Sequence, residues 1–335
     1  MTTVGCIGGG QLGRMLALAG IPLGLSFRFL DPSPDACAAE VGKLVVAPYD
    51  DPDGLDRLAA GAAAVTYEFE NVPVAAAERV RAVPGTRSLE ESQDRLREKE
   101  LLRSLGIPTA RFGSLEETGV PALVKTRRLG YDGKGQRRVD DLDVPVDDGE
   151  LAEELVAFDR ELSILGVRTA EGEMRFWPLG ENVHRDGILR VTRAPADDAP
   201  QADAEAICAA VLQELGHVGV LAVELFEVGG RLLANELAPR VHNTAHWTMD
   251  GAETSQFENH LRAILGLPLG GTAARAPCVM VNLIGDVPPL DGLLALPGVR
   301  VHLYGKESRA GRKVGHVTLV DPDEEAVERL LELLD

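Results

Sequence analysis

The chain has 335 residues, 45% of them apolar and 26% charged, with a formal net charge of −19. That length suits two or three packed units, and the balance of apolar and charged residues excludes a disordered chain. The acid excess repels nucleic acid and anionic membranes, and no apolar run approaches the ~18 residues of a membrane helix. Residue 1 leads straight into an apolar strand without a signal peptide, so a cytoplasmic chain with no nucleic-acid or membrane partner is expected.

In chain order, residues 4–7 predict a short strand, then Gly8-x-Gly10-x-x-Gly13 and an amphipathic run over 14–19. A second strand over 26–30 ends at Asp31-Pro32, and a third ends near Glu68. This is a small α/β domain over residues 1–90. Its glycines let the backbone approach a ligand, and Asp31 stands where a ribose-binding acid is expected, so the turn reads as a dinucleotide site or as a plain tight turn.

Ser88-Leu89-Glu90-Glu91 has capping-box spacing and opens a charged helix through Leu105, stopped by Gly106 and Pro108. From 91 to 270 strands and helices mix as in α+β domains, with strands at 122–125 and 162–168 and a hairpin of 221–228 and 231–237 about Gly229-Gly230. Pro268 and Gly270-Gly271 mark a boundary. A small third domain, 271–335, carries strands at 278–284, 299–303 and near 317–320, then an acidic helix from Glu324. The four cysteines have neither zinc-ligand nor redox spacing.

Arginine outnumbers lysine 28 to 6, and four of the six lysines fall inside motifs, where a compact charge has a use that arginine does not serve. Lys125 ends a strand, and Gly130, Gly133 and Gly135 with Lys134 follow it, the composition of a loop that covers phosphates. Arg127-Arg128-Leu129 predict a stiff entry to that loop. Glu224 and Glu236 lie on opposite hairpin arms as hard oxygen ligands for magnesium. Counting out from a two-residue turn sets Glu224 opposite Asn235, so a shared metal requires a bulge or a three-residue loop. Residues 235–247 read as a polar binding loop, and 304–316, with four cations in eight residues, as an anion pocket. Together these imply ATP used to activate one substrate beside a second, anionic one.

These residues, in this order, resemble the ATP-grasp superfamily and, within it, the N5-carboxyaminoimidazole ribonucleotide synthetases. The similarity covers essentially the whole chain. It includes 8–15, Gly-Tyr-Asp-Gly-Lys-Gly-Gln at 130–136, His184 to Arg190, Asn-Glu-Leu-Ala-Pro-Arg-Val-His-Asn from 235, and 304–316. The resemblance implies an ATP-grasp fold of mixed α/β and α+β class: a Rossmann-like N-terminal domain, an ATP-grasp domain at 91–270 with a lid over about 118–170, and the small C-terminal domain.

It also implies an ATP-dependent carbon–nitrogen ligase that joins bicarbonate to 5-aminoimidazole ribonucleotide through carboxyphosphate, using Mg2+ and forming a homodimer. Another ATP-grasp ligase, such as a formate-activating transformylase, is the alternative. In the roles implied by the resemblance, Arg95, Lys125 and the loop Gly130, Tyr131, Asp132, Gly133, Lys134, Gly135 and Gln136 contact ATP. Glu153, Glu154, Leu155 and Val156 form the adenine hinge, Glu161 takes the ribose, and His184, Asn235 and Glu236 complete the nucleotide site. Glu224 and Glu236 hold metal. Asp132, Lys134, Lys306 and Arg240 serve catalysis. Gln11, Leu12, Tyr131, Arg240, His242, Asn243, Thr244, Lys306, Arg309 and Arg312 bind the ribonucleotide and bicarbonate. The glycine turn then faces the ribonucleotide instead of a dinucleotide.

Overall fold

The computed structural model describes residues 2–130 and 133–334, so Tyr131 and Asp132 lie outside the described residues. Thr2–Ile7, Leu25–Asp31, Lys43–Val46 and Ala62–Tyr67 form a four-stranded parallel sheet in which Thr2–Ile7 and Leu25–Asp31 are central. Their apolar runs are buried on both faces, as a parallel sheet covered by helices demands. Helix Gln11–Gly20 packs on the sheet, and Gly20 is required there because a Cβ would come within 2.5 Å of the Phe27 ring.

Two helices, Thr86–Ser92 and Arg95–Ser104, replace the single helix expected from Ser88. Ser88 does not cap: it is buried inside the first helix with its hydroxyl on His217 Nδ1 at 2.9 Å. The cap of the second helix is Asp94, whose side chain accepts the Leu96 N–H. Asp94 also takes the two-pronged guanidinium of Arg127 at 3.0 and 2.7 Å, which ties down the entry to the glycine loop.

Strands Ala122–Thr126, Gln136–Val139, Glu150–Glu154 and Phe112–Gly113 make a small antiparallel sheet, with the glycine loop joining the first two. Strand Arg160–Arg168, apolar on both faces, belongs instead to the nine-stranded sheet, so residues 118–170 divide between two sheets. That large sheet runs from the edge strand Arg231–Ala238 through Gly219–Val228 and Arg160–Arg168 to Ile188–Ala194. It continues without a break into Cys278–Ile284, Lys313–Val320 and Val299–Leu303.

One core joins the parallel sheet (Val4, Phe27, Phe29) to the large sheet (Val167, Val220, Met280) around Trp177, Trp247 and Phe257. The two tryptophans are each 1% exposed, and each removes roughly 150–250 Å² from water, which contributes several kcal/mol gross. Two buried histidines pin the same junction. His260 Nδ1 accepts the Val220 N–H while its Nε2 meets Thr66, and His217 Nε2 donates to the Val220 carbonyl while its Nδ1 accepts from Ser88. No helix among the described residues is long and apolar enough to cross a membrane.

Candidate active site

A cavity of about 810 Å³ lies between the parallel sheet, the glycine loop and the large sheet. Its walls carry two opposite charge sets. Glu161, Glu224 and Glu236 make one set and Lys306, Arg309 and Arg312 the other, with Lys313 near enough to both to act on Glu224 and on Lys306.

The acidic end is built on the hairpin Gly219–Val228 and Arg231–Ala238. Its two-residue turn starts the register as Val228 opposite Arg231, and by Leu225 the partner is Ala234. A bulge then inserts Asn235, and Glu224 faces Glu236 directly. The condition read from the sequence for a shared metal is met by the bulge, with both carboxylates on the cavity wall. Burial, and next the charge of Glu236, push the Glu224 carboxyl up to about 7. Arg95 pairs with Glu236 Oε2 at 2.9 Å, and His242 Nε2 stands 3.6 Å from Glu224. Burial, then the Arg240 charge, hold His242 well below the usual histidine range, so it gives Glu224 no compensating charge. Two facing carboxylates, with the proton affinity of Glu224 raised, fit a hard divalent cation. Among the described residues no set of three His, Cys, Asp or Glu groups could complete a protein cage, so phosphates and water would supply the remaining ligands.

Glu161 and His184 meet at 2.6 Å across paired strands of the large sheet. Against burial, which lowers it, the Glu161 hydrogen bond raises the His184 pKa. Phe158 and Phe226 stack beside them at 4.7 Å, an apolar wall suited to a flat ring. Lys125 reaches the cavity from its strand and binds Glu153 at 2.9 Å, and Lys99 approaches the same oxygen at 3.3 Å. Burial opposes ionisation of Glu153, yet the Lys99 and Lys125 charges hold its carboxyl down at about 2.

This bears on a group of sequence-selected residues that the cavity does not bring together. Glu153, Glu154, Leu155 and Val156 do not line it: the Glu153 side chain is drawn under the lysines. Glu154 donates its N–H to the Arg111 carbonyl, and Leu155 donates to Pro121. Gly133, Lys134, Gly135 and Gln136 do line the cavity, while Gly130 sits on a small adjoining cleft with Arg95 and Glu236.

At the cationic end, Lys306 Nζ donates to Gln11 Oε1, which brings the last third of the chain onto the first helix. Burial lowers the Lys306 pKa. Leu12, Arg240, His242, Asn243 and Thr244 line the same cavity, and both amide atoms of Asn243 are buried without a protein partner, a group that a bound ligand would satisfy.

Three N–H groups of the glycine turn, those of Gly9, Gly10 and Gly13, are already taken by the protein's own anions. Glu68 accepts from Gly10 and Gly13 N–H, and Asp31 from Gly9 and Ser33 N–H and the Tyr49 hydroxyl. A Cβ at Gly8, where φ is +102°, would lie 2.4 Å from the Glu68 side chain. The helix N-terminus that would attract a pyrophosphate is thus occupied by a carboxylate, which excludes the dinucleotide reading. Glu68 and Glu70, the latter paired with Arg240, are wall residues that sequence reasoning missed. Their signal was a run of acids at the C-terminal end of a parallel strand, where ligands of open α/β sheets gather.

Three family models match the chain in succession: the ribonucleotide synthetase preATP-grasp domain over residues 1–93, the ATP-grasp domain over 101–257, and the phosphoribosylaminoimidazole carboxylase C-terminal domain over 278–330. The N5-carboxyaminoimidazole ribonucleotide synthase of Pseudomonas aeruginosa is 48% identical over 337 residues, 94% of each chain. The chain belongs to the N5-carboxyaminoimidazole ribonucleotide synthase family. The Brucella melitensis synthase is 46% identical, covering 96% of this chain and 97% of its own. The crystal structure of the Thermus thermophilus synthetase superposes with a TM-score of 0.95 at 52% identity, covering 99% of this chain and 98% of that one. The Aspergillus clavatus synthase, solved with ADP and 5-aminoimidazole ribonucleotide, superposes at 0.90 with 30% identity and covers 100% and 98%. In a synthase of this family, one cavity with an acidic and a cationic end suits a nucleotide at the first and a ribonucleotide phosphate at the second.

Proposed function

We propose that the chain carboxylates 5-aminoimidazole ribonucleotide with ATP and bicarbonate, giving N5-carboxyaminoimidazole ribonucleotide, ADP and phosphate in purine biosynthesis. The observation that carries this reading is the sharing of one cavity by the bulge-set carboxylate pair and the cationic cluster. An acid can be phosphorylated at one end and handed to a phosphorylated amine at the other without passing through water.

The stacked pair Phe158 and Phe226 forms one wall beside the adenine, and Glu161, held by His184, accepts from the ribose hydroxyls. Lys125 and Arg95 meet the phosphates, under the loop Gly130–Gln136. Glu224 and Glu236 hold Mg2+, which neutralises the phosphate charge. A bicarbonate oxygen attacks the γ-phosphorus and ADP leaves, which gives carboxyphosphate. That species splits to CO2 and phosphate, the exocyclic amine takes the carbon, and the amine proton is released. Lys134 lies on the cavity wall, Tyr131 and Asp132 are assigned with it to the reacting groups on the family resemblance alone, and closure of the glycine loop shields carboxyphosphate from water. Arg240, His242, Asn243 and Thr244 cradle the transferred carboxyl. Lys306, Arg309 and Arg312, with Gln11 and Leu12, hold the ribonucleotide. A cytoplasmic homodimer completes the reading, and light scattering of the purified chain tests the dimer.

The deciding experiment measures ADP release with ATP, Mg2+ and bicarbonate, with and without 5-aminoimidazole ribonucleotide. Release that tracks the ribonucleotide and yields a labile carboxylated product is expected, and it should be lost in Asp132→Ala. Release indifferent to the ribonucleotide would leave the fold standing and overturn the substrate.

A further inference from the structure

Glu224 meets Glu236 only because Asn235 is an extra residue on its strand. A bulge interrupts the ladder, and a slip of one residue would turn Glu236 to the opposite face. The strand Arg231–Ala238 is also the edge of the nine-stranded sheet, so its outward backbone groups have no neighbouring strand to hold them in register.

One helix and the loop after it supply that hold. Arg95, Glu98 and Lys99 stand three and four residues apart and share one face of the helix Arg95–Ser104. Glu98 Oε1 accepts the Leu237 N–H at 2.5 Å, and Lys99 Nζ donates to the Asn235 carbonyl at 2.8 Å. Thr109 Oγ1 accepts from Lys99 at 2.9 Å and donates to the Ala234 carbonyl at 2.7 Å. Pro108 takes the Ala234 N–H at 2.7 Å. The backbone is therefore gripped at the bulge residue and on both sides of Glu236. Glu98 and Lys99 are only 1% and 0% exposed. Two ionisable side chains are a costly filling for a buried space that apolar residues would occupy more cheaply, so the hydrogen bonds they make are the better account of their presence.

We propose that Glu98 and Lys99 are positioning residues that clamp the Asn235 bulge and so hold Glu236 opposite Glu224 at metal-binding geometry. This inference rests on the assignment of Glu224 and Glu236 as metal ligands. Neither Glu98 nor Lys99 touches the reacting groups; Glu98 acts through the strand, and Lys99 acts through it while also pairing with Glu153 beside Lys125.

The test uses the full chain saturated with ADP and Mn2+ as the probe, with protein-dependent Mn2+ binding read by electron paramagnetic resonance and backbone exchange read by deuterium uptake. Glu98→Leu should weaken Mn2+ binding by roughly 10- to 100-fold, the range for losing a group that orients a metal ligand. It should also speed exchange at Leu237 while leaving strand Cys278–Ile284 unchanged. Glu98→Gln keeps an acceptor oxygen for the Leu237 N–H and should restore both readouts. Lys99→Met removes the contacts to Asn235 and Thr109 together with the ion pair to Glu153, and Thr109→Val removes those to Ala234 and Lys99; both should weaken Mn2+ in the same direction, which keeps the test available should Glu98→Leu not fold. Faster Leu237 exchange with Mn2+ affinity unchanged, or equal damage from Glu98→Gln and Glu98→Leu, would overturn the clamp. Glu236→Gln separates the two levels. If it binds Mn2+ as the parent does, the metal assignment falls and the clamp with it. If it loses Mn2+ while Glu98→Leu does not, the clamp alone fails.

Discussion

The two ends of the cavity solve opposite charge problems by different means. At the acidic end, Glu224 and Glu236 are set by backbone geometry, and the groups that hold them there are buried. At the cationic end, Lys306, Arg309 and Arg312 ride on an irregular loop with most of their neighbours exposed. A rigid pair suits a small cation with strict demands on ligand placement, whereas a looser cluster of long side chains suits a phosphate that accepts hydrogen bonds from many directions.

The sharpest way to break this contrast is to invert the charge at the rigid end. Glu224→Lys should lower ADP formation by roughly 10²–10³-fold, the scale for losing a preorganised electrostatic partner, while calorimetry finds ribonucleotide binding intact. Loss of both together would mean that the ends do not act separately.

The next effect tests the scaffold that keeps the ends apart. Burial holds His217 down at about 4 and His260 at about 3. Their folded-state values are depressed, so above pH ~6.5 the stability is complete, and below it the unfolded chain takes up protons that the folded chain refuses. Urea unfolding should therefore lose about 3 kcal/mol through His217 alone as the pH falls from ~6.5 to ~4. His217→Gln should remove that share of the decline.

At the looser end, Arg312→Ala should raise the KM for the ribonucleotide by roughly 10–100-fold, the worth of a charged hydrogen bond, with the KM for ATP unmoved. The smallest effect is that of salt. Raising ionic strength from about 0.05 to about 0.3 M should weaken ribonucleotide binding several-fold, and nucleotide binding less, because Lys125 is buried whereas Arg309 is exposed and Lys306 and Arg312 are only half-buried. Equal salt sensitivity at both ends would erase the distinction.

Much of this was legible in the sequence. Three strands of the N-terminal unit and those of the C-terminal segment follow from apolar runs, whereas the short edge strand Lys43–Val46 does not stand out, and 278–284 and 299–303 match the observed strands Cys278–Ile284 and Val299–Leu303. The hairpin count stated what the Glu224–Glu236 pair required, but whether a bulge or a longer loop met the requirement depends on contacts from Glu98, Lys99 and Thr109, more than a hundred residues away in sequence. Ser88 misled because a serine three residues before a glutamate serves equally as a buried partner for a histidine, and only packing distinguishes the two uses. Glu68 carried a signal in its place at the end of a parallel strand, but nothing local marks such a carboxylate as the anion that a distant glycine turn will bind.

The uninterrupted nine-stranded sheet has a practical consequence for anyone recombining such proteins. Strand Cys278–Ile284 completes the hydrogen bonding of Ile188–Ala194, although the two are some ninety residues apart in sequence. A crossover placed at the glycine pair near 270 would look clean on a sequence map yet divide a single sheet, and exchanged C-terminal pieces should be tolerated only when the residues facing across that strand pair travel together.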